Sequence, residues 1–191
     1  MEEKLFNKGF ITITIINFIV YLVYYLMMVI IAVMAHNELH ASFGQAGLAS
    51  GIYIIGTLLA RLIMGKELEL IGRKRVARWG VIFYLISTIA YLAVPSIGAL
   101  DIVRLLNGFA YGMTSTALNA IVTEFIPDRR KGEGINYYGL STSLAAAIGP
   151  FIGLLLFHAT GFHFIVIMSV VLIAISMVAL FAIQIDNVKL T

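Results

Sequence analysis

Long apolar runs alternate with short polar connectors along the whole chain. Six runs read as spans, at roughly 10–35, 44–64, 76–95, 99–125, 135–158 and 163–184. Each approaches or exceeds the about 20 residues that a helix needs to cross the hydrocarbon core of a bilayer. No stretch shows the strict alternation of a barrel strand, and in lipid the backbone is then satisfied only by helices. The pattern predicts an all-α integral membrane fold of six transmembrane helices, a single transmembrane domain over 1–191. The first run, Gly9 to Ala35, holds no charge and exceeds the about 7–15 residues of a signal-peptide core, so it is expected to remain as a span.

Composition agrees with the pattern. Of the 191 residues, 61% are hydrophobic, against about 45–50% in soluble domains. The mean hydropathy is +0.99. There is no cysteine, which removes disulfides, thiolate metal sites and cysteine nucleophiles from consideration.

Charge then orients the helices. Lys4, Lys8, Lys66, Arg73, Lys74, Arg75, Arg78, Arg129, Arg130, Lys131 and Lys189 lie on one side, eleven of the thirteen basic residues. The connectors at 36–43, 96–98 and 159–162 carry no Lys or Arg, and only Arg61 and Arg104 fall within spans. The positive-inside rule places both termini in the cytoplasm. The net charge of +3 is therefore a topological signal, and no nucleic-acid partner is expected.

The spans are not equivalent. The third and sixth carry few glycines and read as outer helices able to face lipid on most sides. Gly47 and Gly51, Gly108 and Gly112, and Gly149 and Gly153 recur at i, i+4 in the second, fourth and fifth, a spacing that lets helix backbones approach closely. The two triplets, each ending in a greasy helix, suggest a three-plus-three repeat of the kind many transporters contain.

The connector Gly65–Arg75 packs four basic and two acidic residues into eleven positions and reads as a glycine-bracketed turn. Its pattern is Gly65, three residues, Glu69, two residues, then Gly72-Arg73-Lys74. It resembles the loop between helices 2 and 3 of the major facilitator superfamily, with Glu69 where members usually carry aspartate. Arg104-Leu105-Leu106-Asn107-Gly108 is similar to the family's R-x-x-x-G motif on helix 4. Gly149-Pro150-Phe151-Ile152-Gly153 is similar to the core of the G-P-x-x-G motif of its drug/proton antiporters. The longer form of that motif wants glycines where Asn136, Ala145 and Leu154 stand. The resemblance covers essentially the whole chain.

The resemblance implies an inverted three-plus-three repeat and a plasma-membrane location. Full members have twelve spans in two halves with substrate bound between them. The chain is thus expected to be the N-terminal half, completed by a second six-helix half, either covalently continuous or as a partner subunit. The resemblance also implies that Glu69, Arg73 and Glu124 form a relay that locks one conformation. The implied activity is secondary active, proton-coupled efflux of small organic molecules. A non-transporting accessory or remnant half, and uptake of a nutrient such as a sugar, stay open as alternatives.

Other residues are weighed on their physics. An arginine in mid-membrane costs at least about 2.5–3.5 kcal/mol unless paired or hydrated. Arg104 either snorkels outward with Asp101 as partner or lines the central cavity as a coupling charge. Tyr24, Asn107, Tyr111 and Tyr138 are candidates to line a substrate cavity, or else they glue helices together. Pro150 frees the carbonyl of Ala146 and invites a bend in helix 5. Arg61, one turn before Gly65, is expected to snorkel to the inner surface. No phosphate-cradling loop and no intramembrane nucleophile–base pair or twin aspartates are present, so neither an ATP-driven motor nor an enzyme is expected. No cofactor and no metal are called for.

Overall fold

The computed structural model describes residues 4–183. Lys189 and the last residue of the sixth expected span lie outside the described residues. The helices are α1 (Lys8–Glu38), α2 (Phe43–Ile71), α3 (Arg73–Ile89), α4 (Ile97–Val122), α5 (Lys131–Thr160) and α6 (Phe162–Ala182). A 3-10 turn, Ala90–Ala93, extends α3. Two more, Thr123–Phe125 and Asp128–Arg130, join α4 to α5.

Local chemistry sets the ends. The side chains of Asn7, Ser42 and Ser96 accept from the backbone N–H groups of Phe10, Gln45 and Ala99, each satisfying a donor that a helix start leaves open. Gln45 completes a capping box by accepting from Ser42 N at 3.0 Å. Gly72 and Gly161 separate consecutive helices at φ 105° and 87°, a region that favours a residue without Cβ.

The connector 65–75 departs from expectation. It is not a glycine-bracketed turn: α2 runs unbroken through Gly65 to Ile71, and Gly72 alone separates it from α3. Lys, Glu and Leu are good helix formers, so the charge in Lys66–Glu69 does not end a helix. A Cβ on Gly65 would meet nothing within 4 Å.

By length and composition α1, α2, α3 with its turn, α5 and α6 can each cross a membrane. α4 has 26 residues, about 39 Å at 1.5 Å per residue, but its apolar character is diluted by Asp101, Arg104, Asn107, Thr114 and Ser115. Much of that polarity is turned inward, because Arg104, Asn107, Thr114 and Ser115 are buried.

The main packing pairs are α2 with α4, α1 with α5, and α3 with α4 and α6. Glycines set the separation in the first two pairs. An added Cβ would lie 2.2 Å from Leu105 O at Gly56, 2.1 Å from Tyr53 O at Gly108, and 2.8 Å from Leu26 O at Gly153. Gly47 and Gly51, expected to act the same way, meet nothing within 4 Å, and Gly56 takes their place against α4. α3 is not a lipid-facing bystander either: it buries Val76, Ala77, Gly80, Val81, Tyr84, Ser87 and Thr88. α6 does present an open apolar face, through residues such as Ile167, Val171, Ile175 and Val178, and further ones lie on α2, through Leu58 and Leu62, and on α5, through Leu144 and Phe151.

Candidate functional site

Three arrangements bring together residues that carry chemistry. The first is at the end of the bundle that holds the basic connectors. Gly72 turns the chain so that Arg73 opens α3 beside the last turn of α2. Arg73 Nε donates to Glu69 Oε1 at 2.7 Å, and its NH1 donates to Glu124 Oε1 and to Ala120 O, both at 3.1 Å. One guanidinium thus ties α2, α3 and the end of α4. The Arg73 and Glu124 side chains are each 20% exposed, so water screens the pair only in part. Lys74 forms no hydrogen bond or ion pair among the described residues. A cleft of about 600 Å³ opens nearby, lined by Lys4, Asn7, Glu124 and Lys131 among others.

The second surrounds Arg104, which is 0% exposed. Its Nε donates to Ala49 O at 3.0 Å, NH2 to Ser50 O at 2.8 Å, and NH1 to Tyr91 Oη at 3.2 Å. The guanidinium also sits 4.4 Å from the Tyr53 ring centroid, close enough for cation–π attraction. Tyr91 Oη donates in turn to Asn107 Oδ1 at 3.0 Å, and Asn107 Nδ2 donates to Ser87 Oγ at 2.8 Å and Thr88 Oγ1 at 3.0 Å. The arginine therefore neither snorkels nor pairs with Asp101. Carbonyl dipoles, a phenol and a ring face replace the missing carboxylate. Asp101 stands apart, with Oδ1 buried and without a hydrogen-bond partner.

The third is a wall of tyrosines shared by α1, α2 and α4. Tyr24 stacks on Tyr111 at 4.9 Å and on Tyr53 at 5.3 Å. Tyr25 lies 4.7 Å from Tyr24, and Tyr21 meets Tyr111 edge-on at 5.4 Å. Tyr21, Tyr24 and Tyr25 keep partly open surfaces. Along the seam of α1 with α5, Asn17 Nδ2 donates to Ser141 Oγ at 2.8 Å and to Thr142 Oγ1 at 3.1 Å. Asn17 Oδ1 and the Tyr138 hydroxyl are buried there without partners. Gly149 and Gly153 let α5 close on Tyr25 and Leu26 of α1. Pro150 lies between them within an unbroken α5.

The structure brings together Glu69, Arg73 and Glu124, and separately Arg104 with Asn107. It puts Tyr24 and Tyr111 in one wall and Tyr138 on the neighbouring seam. Gly108 is a packing residue beneath Tyr53, and Gly65 takes no part in any of the three. Sequence reasoning missed Tyr53, Tyr84, Ser87, Thr88 and Tyr91. A signal for them exists: residues 84, 87, 88 and 91 recur at i, i+3, i+4 and i+7, a polar stripe on a helix that otherwise reads as greasy.

Comparison with known proteins gives a consistent picture. The profile of the Major Facilitator Superfamily matches residues 13–189. Multidrug resistance protein 3 of Bacillus subtilis is 24% identical over 136 residues, which is 71% of this chain and 27% of that protein. The uncharacterized MFS-type transporter YhhS of Shigella flexneri is 25% identical over 179 residues, 88% of this chain and 44% of that protein. A crystal structure of the peptide transporter POT in complex with sulfate superimposes with a TM-score of 0.83 at 21% identity, covering 92% of this chain and 37% of that one. A POT family transporter in complex with a thioalcohol-conjugated peptide gives 0.81 at 16% identity, covering 91% and 37%. At those identities the likeness is one of fold. The chain spans less than half the length of these proteins.

Proposed function

This chain belongs to the Major Facilitator Superfamily, and we propose that residues 1–191 work as one six-helix half of a secondary transporter that moves small organic molecules across the membrane by alternating access. The family is one of integral membrane transporters, not enzymes. The observation that carries the proposal is the Arg73 cluster, where one partly exposed cation holds α2, α3 and α4 together through Glu69, Glu124 and Ala120 O. Such end-of-helix ion pairs can be broken and remade when packed bodies rock, which suits a two-state switch.

The remaining parts of the proposal follow from that frame. The basic end faces the cytoplasm, in keeping with the distribution of Lys and Arg, and the membrane is the plasma membrane. The two triplets form an inverted repeat. In support, the second helix of each packs on the first helix of the other, α2 on α4 and α5 on α1. The open apolar faces of α2 and α5 meet a second six-helix half, and the tyrosine wall faces the substrate path between the halves. Export is favoured by the names of relatives such as Multidrug resistance protein 3, and proton coupling is proposed with it.

These 191 residues hold no cysteine, so the test introduces one here and reads its labelling against the same assembled transporter without it. In the assembled transporter, Arg73→Ala is expected to raise labelling of a cysteine placed near Ala120 by about tenfold. That is the shift expected for about 1.4 kcal/mol, within the range of two half-screened ion pairs and a backbone bond. Arg73→Lys should recover part of the effect. Labelling unchanged by Arg73→Ala would remove the switch.

A further inference from the structure

Toward the basic end of the bundle, the tyrosine wall terminates in a guanidinium that this half leaves open. Tyr53, Thr57 and Arg61 recur every four residues on α2 and so share a helix face. That face is turned to α4: Thr57 Oγ1 donates to Gly108 O at 3.0 Å, and Arg61 NH2 donates to Ser115 Oγ at 3.4 Å. Ser115 lies one turn from Tyr111, whose ring is stacked on Tyr24.

Arg61 stands five residues before Lys66, and α2 continues past both to Ile71. The Arg61 head group turns to α4. It is exposed, its one hydrogen bond among the described residues is long, and none of their ion pairs includes it. Arg104, beneath Tyr53 at the other end of the wall, likewise has no carboxylate partner among the described residues, but all three of its nitrogens are engaged within the half. Among the described residues the wall therefore sits between two cations without a carboxylate, and Arg61 is the exposed one.

We propose that Arg61 and the tyrosine wall form the binding site for an organic anion with a planar aromatic body. The ring lies against the partly open Tyr24 and Tyr25, in offset or edge-on contact. The carboxylate or sulfonate accepts from the Arg61 fork, a geometry that guanidinium matches in bidentate fashion. A lipophilic cation of the same shape meets two like charges in a partly dry site and is rejected. The assignment rests on the transport reading above and narrows its substrate class.

The test compares three probes of one shape, naphthoate, its neutral amide and a naphthyl trimethylammonium, by equilibrium binding to the assembled protein in detergent. Naphthoate is expected to bind at least about tenfold more tightly than either of the others. Arg61→Gln should remove that preference, and Arg61→Lys should keep most of it, since the charge survives while the fork is lost. Arg61 is exposed, so neither variant disturbs packing. A preference for the cation or the amide, or a naphthoate preference that survives Arg61→Gln, overturns the anion site and leaves transport intact. Binding of none of the three overturns the site as well. The Arg73 accessibility measurement then decides separately whether the transport reading stands.

Discussion

Gly108→Val is expected to destabilise the bundle by about 3 kcal/mol, the upper end of what overpacking usually costs. An added Cβ at this position would lie 2.1 Å from Tyr53 O and 2.9 Å from Tyr53 Cα. These are backbone atoms of α2, so no flexible side chain can move aside. The two helices would have to separate, and the neighbouring contacts at Gly56 and Gly112 would loosen with them. The measurement is the midpoint of thermal aggregation in detergent, together with the amount of protein in the membrane. Gly47→Val and Gly51→Val are the controls. They lie on the same α2 and meet nothing within 4 Å, so each should leave the midpoint close to that of the parent. Equal loss at Gly47 and Gly108 would mean that glycine content, and not the α2–α4 approach, governs stability.

Asn107→Leu is expected to cost about 3 kcal/mol, from three buried hydrogen bonds at about 1 kcal/mol each. The replacement is close in volume, so little of the loss comes from a cavity. Asn107 is 2% exposed, and it accepts from Tyr91 Oη and donates to Ser87 and Thr88. Without it, the Tyr91 hydroxyl keeps the bond it accepts from Arg104 but loses its acceptor. Ser87 and Thr88 still donate to Tyr84 O, which limits the damage on α3. Arg104→Met should behave differently. It removes a buried cation that has no carboxylate partner among the described residues, and the desolvation cost that is relieved offsets the three hydrogen bonds that are lost. A thermal midpoint that falls for Asn107→Leu but holds within a few degrees for Arg104→Met is the expected pair. Both variants losing as much as Gly108→Val would show the arginine to be structural.

Much of the helical layout was legible in the chain. The six expected spans fall on six helices, because a run of about 20 apolar residues bounded by Ser, Asn, Gly and Pro signals has little alternative. The main error, at 65–71, came from reading charge as a turn; Lys and Glu are helix formers, and only the positive φ at Gly72 ends α2. The Glu69, Arg73 and Glu124 cluster was expected from a family resemblance and not from spacing, since Glu124 is far from Arg73 in sequence. Asp101 was offered as a partner for Arg104 because the two lie one turn apart. The arginine instead reaches across to two carbonyls of α2 and to Tyr91 of the turn that follows α3.

By itself, the sequence determined the class of solvent, the number of helices and most of the places where they start. Those properties are set by hydropathy, capping and backbone preference within one stretch of chain. Which glycine meets a backbone, which polar side chain is buried and which arginine is left open were decided only in the tertiary structure. Gly47 and Gly108 look alike in sequence, as do Arg61 and Arg104. They differ in how far distant helices cover them: Gly108 meets a backbone and Arg104 is enclosed, while Gly47 is open and Arg61 stays exposed, and a buried polar group must find its partner across such a contact.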